Sequence, residues 1–186
     1  MTKKLTALTL LFALSVFIDL PAHAAPAAKA RQAPAKPIAT RFKLKKKPIK
    51  KGDPFSVSVT PREKSFIFLF YVDADDRAVS LYPGKAESFE IISPEDPLEV
   101  SSITDNTIKI DSKQGKIITV AVRYSAEGKK VKGQVLKATD FSEEKPYKHA
   151  LAIKGKDLIE RLEFMRADHP RDVHILVQDA PKAVTN

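Results

Sequence analysis

Cysteine is absent from the 186-residue chain. That excludes a disulfide framework, a zinc cluster built on thiolates and a thiol nucleophile. Tryptophan is absent too, removing one common ligand-stacking residue. The six glycines are scattered, so there is no glycine-rich phosphate loop, and no Gly-x-Ser-x-Gly elbow offers a hydrolase nucleophile. Acid is missing from one long stretch: residues 25–52 hold ten Lys or Arg and no Asp or Glu. The whole chain has a net charge of +9, so the part from Asp53 onward is left close to neutral. With 43% hydrophobic residues there is material for a packed core, which excludes a wholly disordered protein.

The N-terminal pattern reads as processing information. Lys3 and Lys4 precede an apolar run from Leu5 to Ile18, then Pro21 and Ala22-His23-Ala24 ahead of Ala25. A positive start, a short apolar stretch and an A-x-A site form the pattern of a secretory signal peptide at 1–24, cleaved near Ala24/Ala25. The run is shorter than the roughly 20 residues needed to span a bilayer. Ala25 stands where a lipoprotein would need cysteine. The expectation is an exported product, periplasmic in a Gram-negative cell or else secreted.

Residues 25–51 read as a basic, Ala/Pro/Lys-rich disordered arm. Within it, Arg41, Lys43, Lys45, Lys46, Lys47, Lys50 and Lys51 interleave with Phe42, Leu44 and Ile49, a pattern suited to peripheral contact with an anionic membrane or polymer. On this reading the arm is separable, and its removal should leave the domain intact.

From Gly52 the pattern is that of strands, giving a β-rich domain over 52–178 and a polar tail over 179–186. Phe55, Val57 and Val59 alternate with polar residues, and Phe66–Val72 is a continuous apolar run suited to a central strand buried on both faces. Asp73–Arg77 is a turn, and Ala78–Tyr82 returns as its hairpin partner. Ser88–Ile92 and Asn106–Ile110 are weaker strands, and Ile117–Tyr124 is a strong one. Residues 128–156 read as mostly irregular, with a strand at Ala150–Ile153. Asp157 and Glu160 form a capping-box pattern for a helix over about 157–169, with Leu158, Ile159, Leu162 and Met165 as its core stripe. Val173–Val177 closes the domain. The fold class expected is mainly β, a small sandwich or barrel-like domain with one C-terminal helix.

Three stretches carry a resemblance: Lys51-Gly52-Asp53 with Phe55-Ser56-Val57, then Phe68–Asp75, then Val79-Ser80-Leu81-Tyr82-Pro83, followed by Gly115 before Ile117–Val122. Over about 50–127 the chain resembles the bacterial domain of unknown function 4384. The resemblance implies an exported or surface-facing β-rich accessory domain and transfers no catalytic residue. Asp76 departs from the pattern, which usually has glycine there.

Two other constellations bear on chemistry. Asp73, Asp75 and Asp76 look like the start of a calcium loop, but the sixth and twelfth positions hold Ala78 and Gly84. A hairpin turn explains the three acids, and Asn and Gly should replace Asp75 and Asp76 without loss of folding. His169 and His174 would ligate a metal only if both rings converged across a helix-to-strand turn. The leading expectation is therefore a non-enzymatic accessory or binding module of the bacterial cell envelope, needing no cofactor or metal, with an envelope component or partner protein and no nucleic acid as its target. The alternative is an enzyme or metal-dependent binder centred on the Asp73–Asp76 turn or the His169/His174 region.

Overall fold

The computed structural model describes residues 38–44, 50–53, 55–84, 89–101, 113–142 and 149–183. The expected signal peptide and the weak strand at 106–110 lie outside them. Among the described residues nine strands and two helices are formed, and the chain is mainly β: β1 Ala39–Leu44, β2 Phe55–Thr60, β3 Ser65–Val72, β4 Arg77–Tyr82, β5 Ile91–Ile92, β6 Leu98–Ser101, β7 Lys116–Arg123, α1 Ala126–Val135, β8 Ala150–Lys154, α2 Gly155–Asp168 and β9 Val173–Asp179. A 3-10 turn at Ala138–Asp140 follows α1. The strands make an antiparallel sheet ordered β1-β2-β6 and a second ordered β8-β4-β3-β7-β9, with β5 against β3.

β3 organises both cores because its eight residues are all buried. Phe66, Phe68, Phe70 and Val72 face a core shared with β7, α1 and α2. Ile67, Leu69 and Tyr71 face the opposite way, against Phe55, Val57 and Val59 of β2. Alternation along one strand thus builds three layers, small sheet on large sheet on helices. The continuous apolar run is what a strand covered on both faces requires.

β1 corrects the domain boundary. It falls inside the segment read as a disordered arm and pairs with all of β2, from Ala39↔Thr60 to Leu44↔Phe55. Its inward residues explain why. Ile38 is buried in the inter-sheet core, Phe42 packs edge-on to Phe55 with ring centroids 6.4 Å apart, and the hydroxyls of Thr40 and Thr119 lie 3.0 Å apart. Alternate lysines and arginines concealed a strand with one wet face. The tail differs as well: Ala180 and Ala183 are buried in the same core, where 179–186 was expected to be only polar.

The stretch read as irregular contains α1. Ser125 caps it, accepting a hydrogen bond from the Gly128 amide at 2.8 Å and donating its own hydroxyl to Asp172 at 2.6 Å. Val131, Val135 and Leu136 are buried against the sheet. The weak strand expected at 88–92 is reduced to Ile91–Ile92 in the described residues, whereas β8 forms where Ala150–Ile153 predicts it.

α2 begins at Gly155, two residues ahead of the expected start, and Asp157 is not its cap. Lys154 is the N-cap residue and makes no side-chain capping bond. The cap comes from the distant hairpin turn: Asp76 accepts from the Lys156 amide through Oδ1 at 2.9 Å and from the Gly155 amide through its carbonyl at 2.9 Å. Leu158, Leu162 and Met165 are buried as the stripe predicts. The helix leaves β8 at one edge of the large sheet and delivers the chain to β9 at the other.

Arg161 ties the two helices together. It grips both oxygens of Asp140, at 3.1 and 2.7 Å, and donates to the Gln134 and Val135 carbonyls at the end of α1. Burial would raise the Asp140 pKa, but hydrogen bonds from Arg161 and the Lys137 backbone, with the charges of both residues, outweigh it and hold the carboxyl below its ordinary value. A depressed folded-state pKa contributes stability above the unfolded value of 3.8, lost as pH falls below it. Arg161→Met should therefore cost about 2 kcal/mol at pH 7. In urea titrations the difference from wild type should shrink below pH 4, and a constant difference at acid pH would refute the ionic account.

Candidate functional site

The seven basic residues expected to meet an anionic surface divide by position. Arg41 and Lys43 project from the outer face of the edge strand β1, opposite Ser58 and Ser56. Lys43 is paired with Glu99 on β6, whose carboxyl is held low by hydrogen bonds from Lys43 and Ser58. Lys50 and Lys51 are exposed in the turn before β2, which Asp53 closes by accepting from the Lys50 amide at 2.8 Å. Lys45, Lys46 and Lys47 lie outside the described residues. Because Leu44 pairs with Phe55, both ends of the intervening segment are held at the same end of the sandwich.

The acidic hairpin is committed to its own geometry. Asp73 Oδ1 accepts from the Asp75 and Arg77 amides, each at 2.9 Å, and Oδ2 takes the Arg77 guanidinium at 2.8 Å. Asp75 holds Arg77 at 3.1 Å and Lys113 at 3.4 Å. Asp76 has φ +64°, the left-handed conformation that glycine adopts freely and aspartate tolerates. Asp76 thus makes the turn and also caps α2.

That role adds a contribution to stability that Asp76 would not make as a turn residue alone. Asp76→Gly should keep the turn but lose the Oδ1 bond to Lys156, costing about 1 kcal/mol. Asp76→Asn retains an acceptor and left-handed tolerance and should stay within about 0.5 kcal/mol of wild type. Urea denaturation separates the two, and equal midpoints would show that the cap contributes nothing.

His169 and His174 do not converge. His169 is the C-cap of α2, its amide donating to the Met165 carbonyl and its Nδ1 lying 3.7 Å from Glu127 on α1. His174 pairs in register with Ala121, which faces the small sheet, whereas its neighbours Val173 and Ile175 face the helices. The two imidazoles therefore leave opposite faces of the large sheet. Among the described residues no group of three or more His, Asp or Glu is placed to hold a metal ion.

His174 instead lines a cleft of about 220 Å³ at the end where β2 gives way to β3, with Ile38, Pro61, Arg62, Glu63, Ser65 and Ala121. Its Nε2 is buried without a hydrogen-bond partner among the described residues. Glu63 is occupied by Arg123 at 2.9 Å, and the Ser65 hydroxyl donates to the Glu63 carbonyl at 2.9 Å. The cleft offers a guanidinium and an imidazole, with no nucleophile activated by a neighbouring base.

A second cationic feature escaped the sequence reading. At the same end, Lys129 of α1 lies 4.5 Å above the Tyr124 ring, and Lys132 lies 4.5 Å from the Phe66 ring and 4.9 Å from that of Phe89. The usable signal was Lys129-Lys130-Val131-Lys132, hidden by reading residues 128–156 as mostly irregular. Comparisons of the chain with family models, with curated proteins and with solved structures return no match.

Proposed function

We propose that this chain is an exported, non-enzymatic module of the bacterial cell envelope whose basic segment, Arg41 to Lys51, contacts an anionic membrane or polymer. The observation that carries the reading is the pairing of Leu44 with Phe55, which anchors the acid-free segment at both ends. Of its cations, Arg41 and Lys43 are carried on β1, and Lys50 and Lys51 on the turn before β2. Export is supported by the positive start, short apolar run and Ala22-His23-Ala24 pattern, and an accessory role agrees with the resemblance to the domain of unknown function 4384. Arg41 and Lys50 face outward on this segment, while Lys43 is partly neutralised by Glu99. The rival reading, an enzyme or metal-dependent binder, starts from carboxylates already engaged by Arg77 and Lys113 and from imidazoles on opposite sheet faces.

Near an anionic surface each Lys contributes about 1 kcal/mol, and salt screens the contribution. Replacing Lys45, Lys46, Lys47, Lys50 and Lys51 by Gln in the otherwise intact chain should weaken co-sedimentation with phosphatidylglycerol vesicles by at least about tenfold at low salt. Circular dichroism should be unchanged. Equal sedimentation of variant and wild type would remove the segment from the binding surface.

A further inference from the structure

The end of the sandwich opposite the basic segment carries its own contact face. Tyr124 and Ile91 flank Phe66, Tyr124 with ring centroids 5.7 Å apart and Ile91 as the β5 partner of Phe66. Both are unusually open for large apolar side chains, 40% and 45% exposed. Lys129 and Lys132 stand over the rings, and neither has a carboxylate partner among the described residues. Three acids of neighbouring segments are engaged elsewhere, Glu63 with Arg123, Glu127 with Lys130 and His169, and Glu95 with Ser93 and the charge of Lys64, while Glu90, between Phe89 and Ile91, lies beside Tyr82. Arg62 is exposed at the rim.

We propose that this Tyr124–Lys129–Lys132 face, with Ile91 at its edge, docks on the anionic headgroups of a lipid bilayer. The inference rests on the envelope reading for where such a surface is met, but it assigns the contact to the folded domain itself. Three observations select the partner. The ammonium groups stand over Tyr124, Phe66 and Phe89, so a sugar or base stacking on those ring faces would first have to displace them. What remains presented is positive charge bordered by one aliphatic side chain and one tyrosine, the composition that seats shallowly at a headgroup boundary. Finally, the chain enters the domain at this end: Ile38 lines the same cleft as Arg62 and Ser65, and the Lys64 carbonyl there accepts from the Tyr124 amide. The sequence leading up to Ile38 holds Lys29, Arg31 and Lys36 and no acid after residue 24, so no carboxylate of that stretch competes for the face.

The chain has no tryptophan, so Tyr124→Trp supplies a single reporter. With phosphatidylglycerol vesicles its emission should shift to the blue, and with phosphatidylcholine vesicles it should not. Lys129→Gln with Lys132→Gln should weaken vesicle binding by roughly tenfold, and Lys129→Gln alone, which leaves Lys132 on Phe66, by a few fold. The Tyr124→Trp reporter placed in the variant lacking the charges of Lys45, Lys46, Lys47, Lys50 and Lys51 separates the two sites. A shift that persists there supports this face even if the segment proves idle. Vesicle binding with no shift of the reporter's emission and no effect of the paired Lys→Gln changes overturns the face while leaving the segment as the contact. A shift with poly-glutamate but none with vesicles assigns the face to an acidic protein and overturns the lipid proposal. No binding by any form overturns both.

Discussion

A chain that starts at Gly52 should not reach the native state. The truncation removes β1 together with Ile38 and Phe42, and uncovers Phe55, Val57 and Val59 on β2 and Thr119 and Ala121 on β7. Two large side chains at about 1.5–3 kcal/mol each, with the newly exposed surface beneath them, bring the expected loss to at least about 4 kcal/mol. A small domain has only about 5–15 kcal/mol in all. Far-UV circular dichroism and urea denaturation of residues 52–186 should show weakened structure without a cooperative transition, whereas a chain starting at Pro34 should unfold as a chain starting at Ala25 does. An unchanged urea midpoint in the shorter chain would show β1 to be dispensable. The result also governs how the basic segment is tested, since its charges have to be removed by substitution and not by deletion.

Gly128→Ala should be the most damaging single-methyl change in α1. In an ordinary helix interior the substitution is favourable by roughly 1 kcal/mol. At Gly128 a Cβ would lie 1.9 Å from the Arg123 carbonyl oxygen, a backbone atom fixed by β7. Relief requires moving the start of the helix, which would stretch the Ser125 cap, so a cost of about 2–3 kcal/mol is expected. Gly133→Ala is the internal control. A Cβ there meets nothing within 4 Å, and the helix should gain up to about 1 kcal/mol. Thermal melts of the two variants should move in opposite directions, and two shifts of the same sign would refute the close-approach argument.

Those two glycines show where the sequence was legible. Apolar alternation located β2 and β7, and continuous or near-continuous apolar runs located β3, β4 and β9, because the faces each strand buries are set by its own residues. The stripe Leu158, Leu162 and Met165 located α2 for the same reason. α1 was missed because Gly128 is there for tight packing on β7, a tertiary cause that composition reports only as a helix breaker. β1 was missed because a basic residue at every second position looks like a charged tether until a partner strand is known. The cap on α2 was misassigned because its donor and acceptor lie 80 residues apart. Of the candidate sites, the acidic turn was legible as a turn, since Asp side chains bind local amides. The positions of His169 at the end of a helix and of His174 on the closing strand were legible as well, whereas the sheet face His174 takes was not, because it depends on the pairing of β9 with β7. The Tyr124–Lys129 face depends on α1 and was lost with it.

The path of α2 has a mechanical consequence. Edge strands are where a sheet ordinarily begins to fray, each independently of the other. In this sheet β8 runs directly into α2, α2 is pinned at its start by Asp76 and along its length by Leu158, Leu162 and Met165, and β9 follows within a few residues of its end. The helix is therefore a crossbar joining the two outermost strands. Peeling either edge pulls on the same rod, so the two borders of the sheet are coupled and open as one unit.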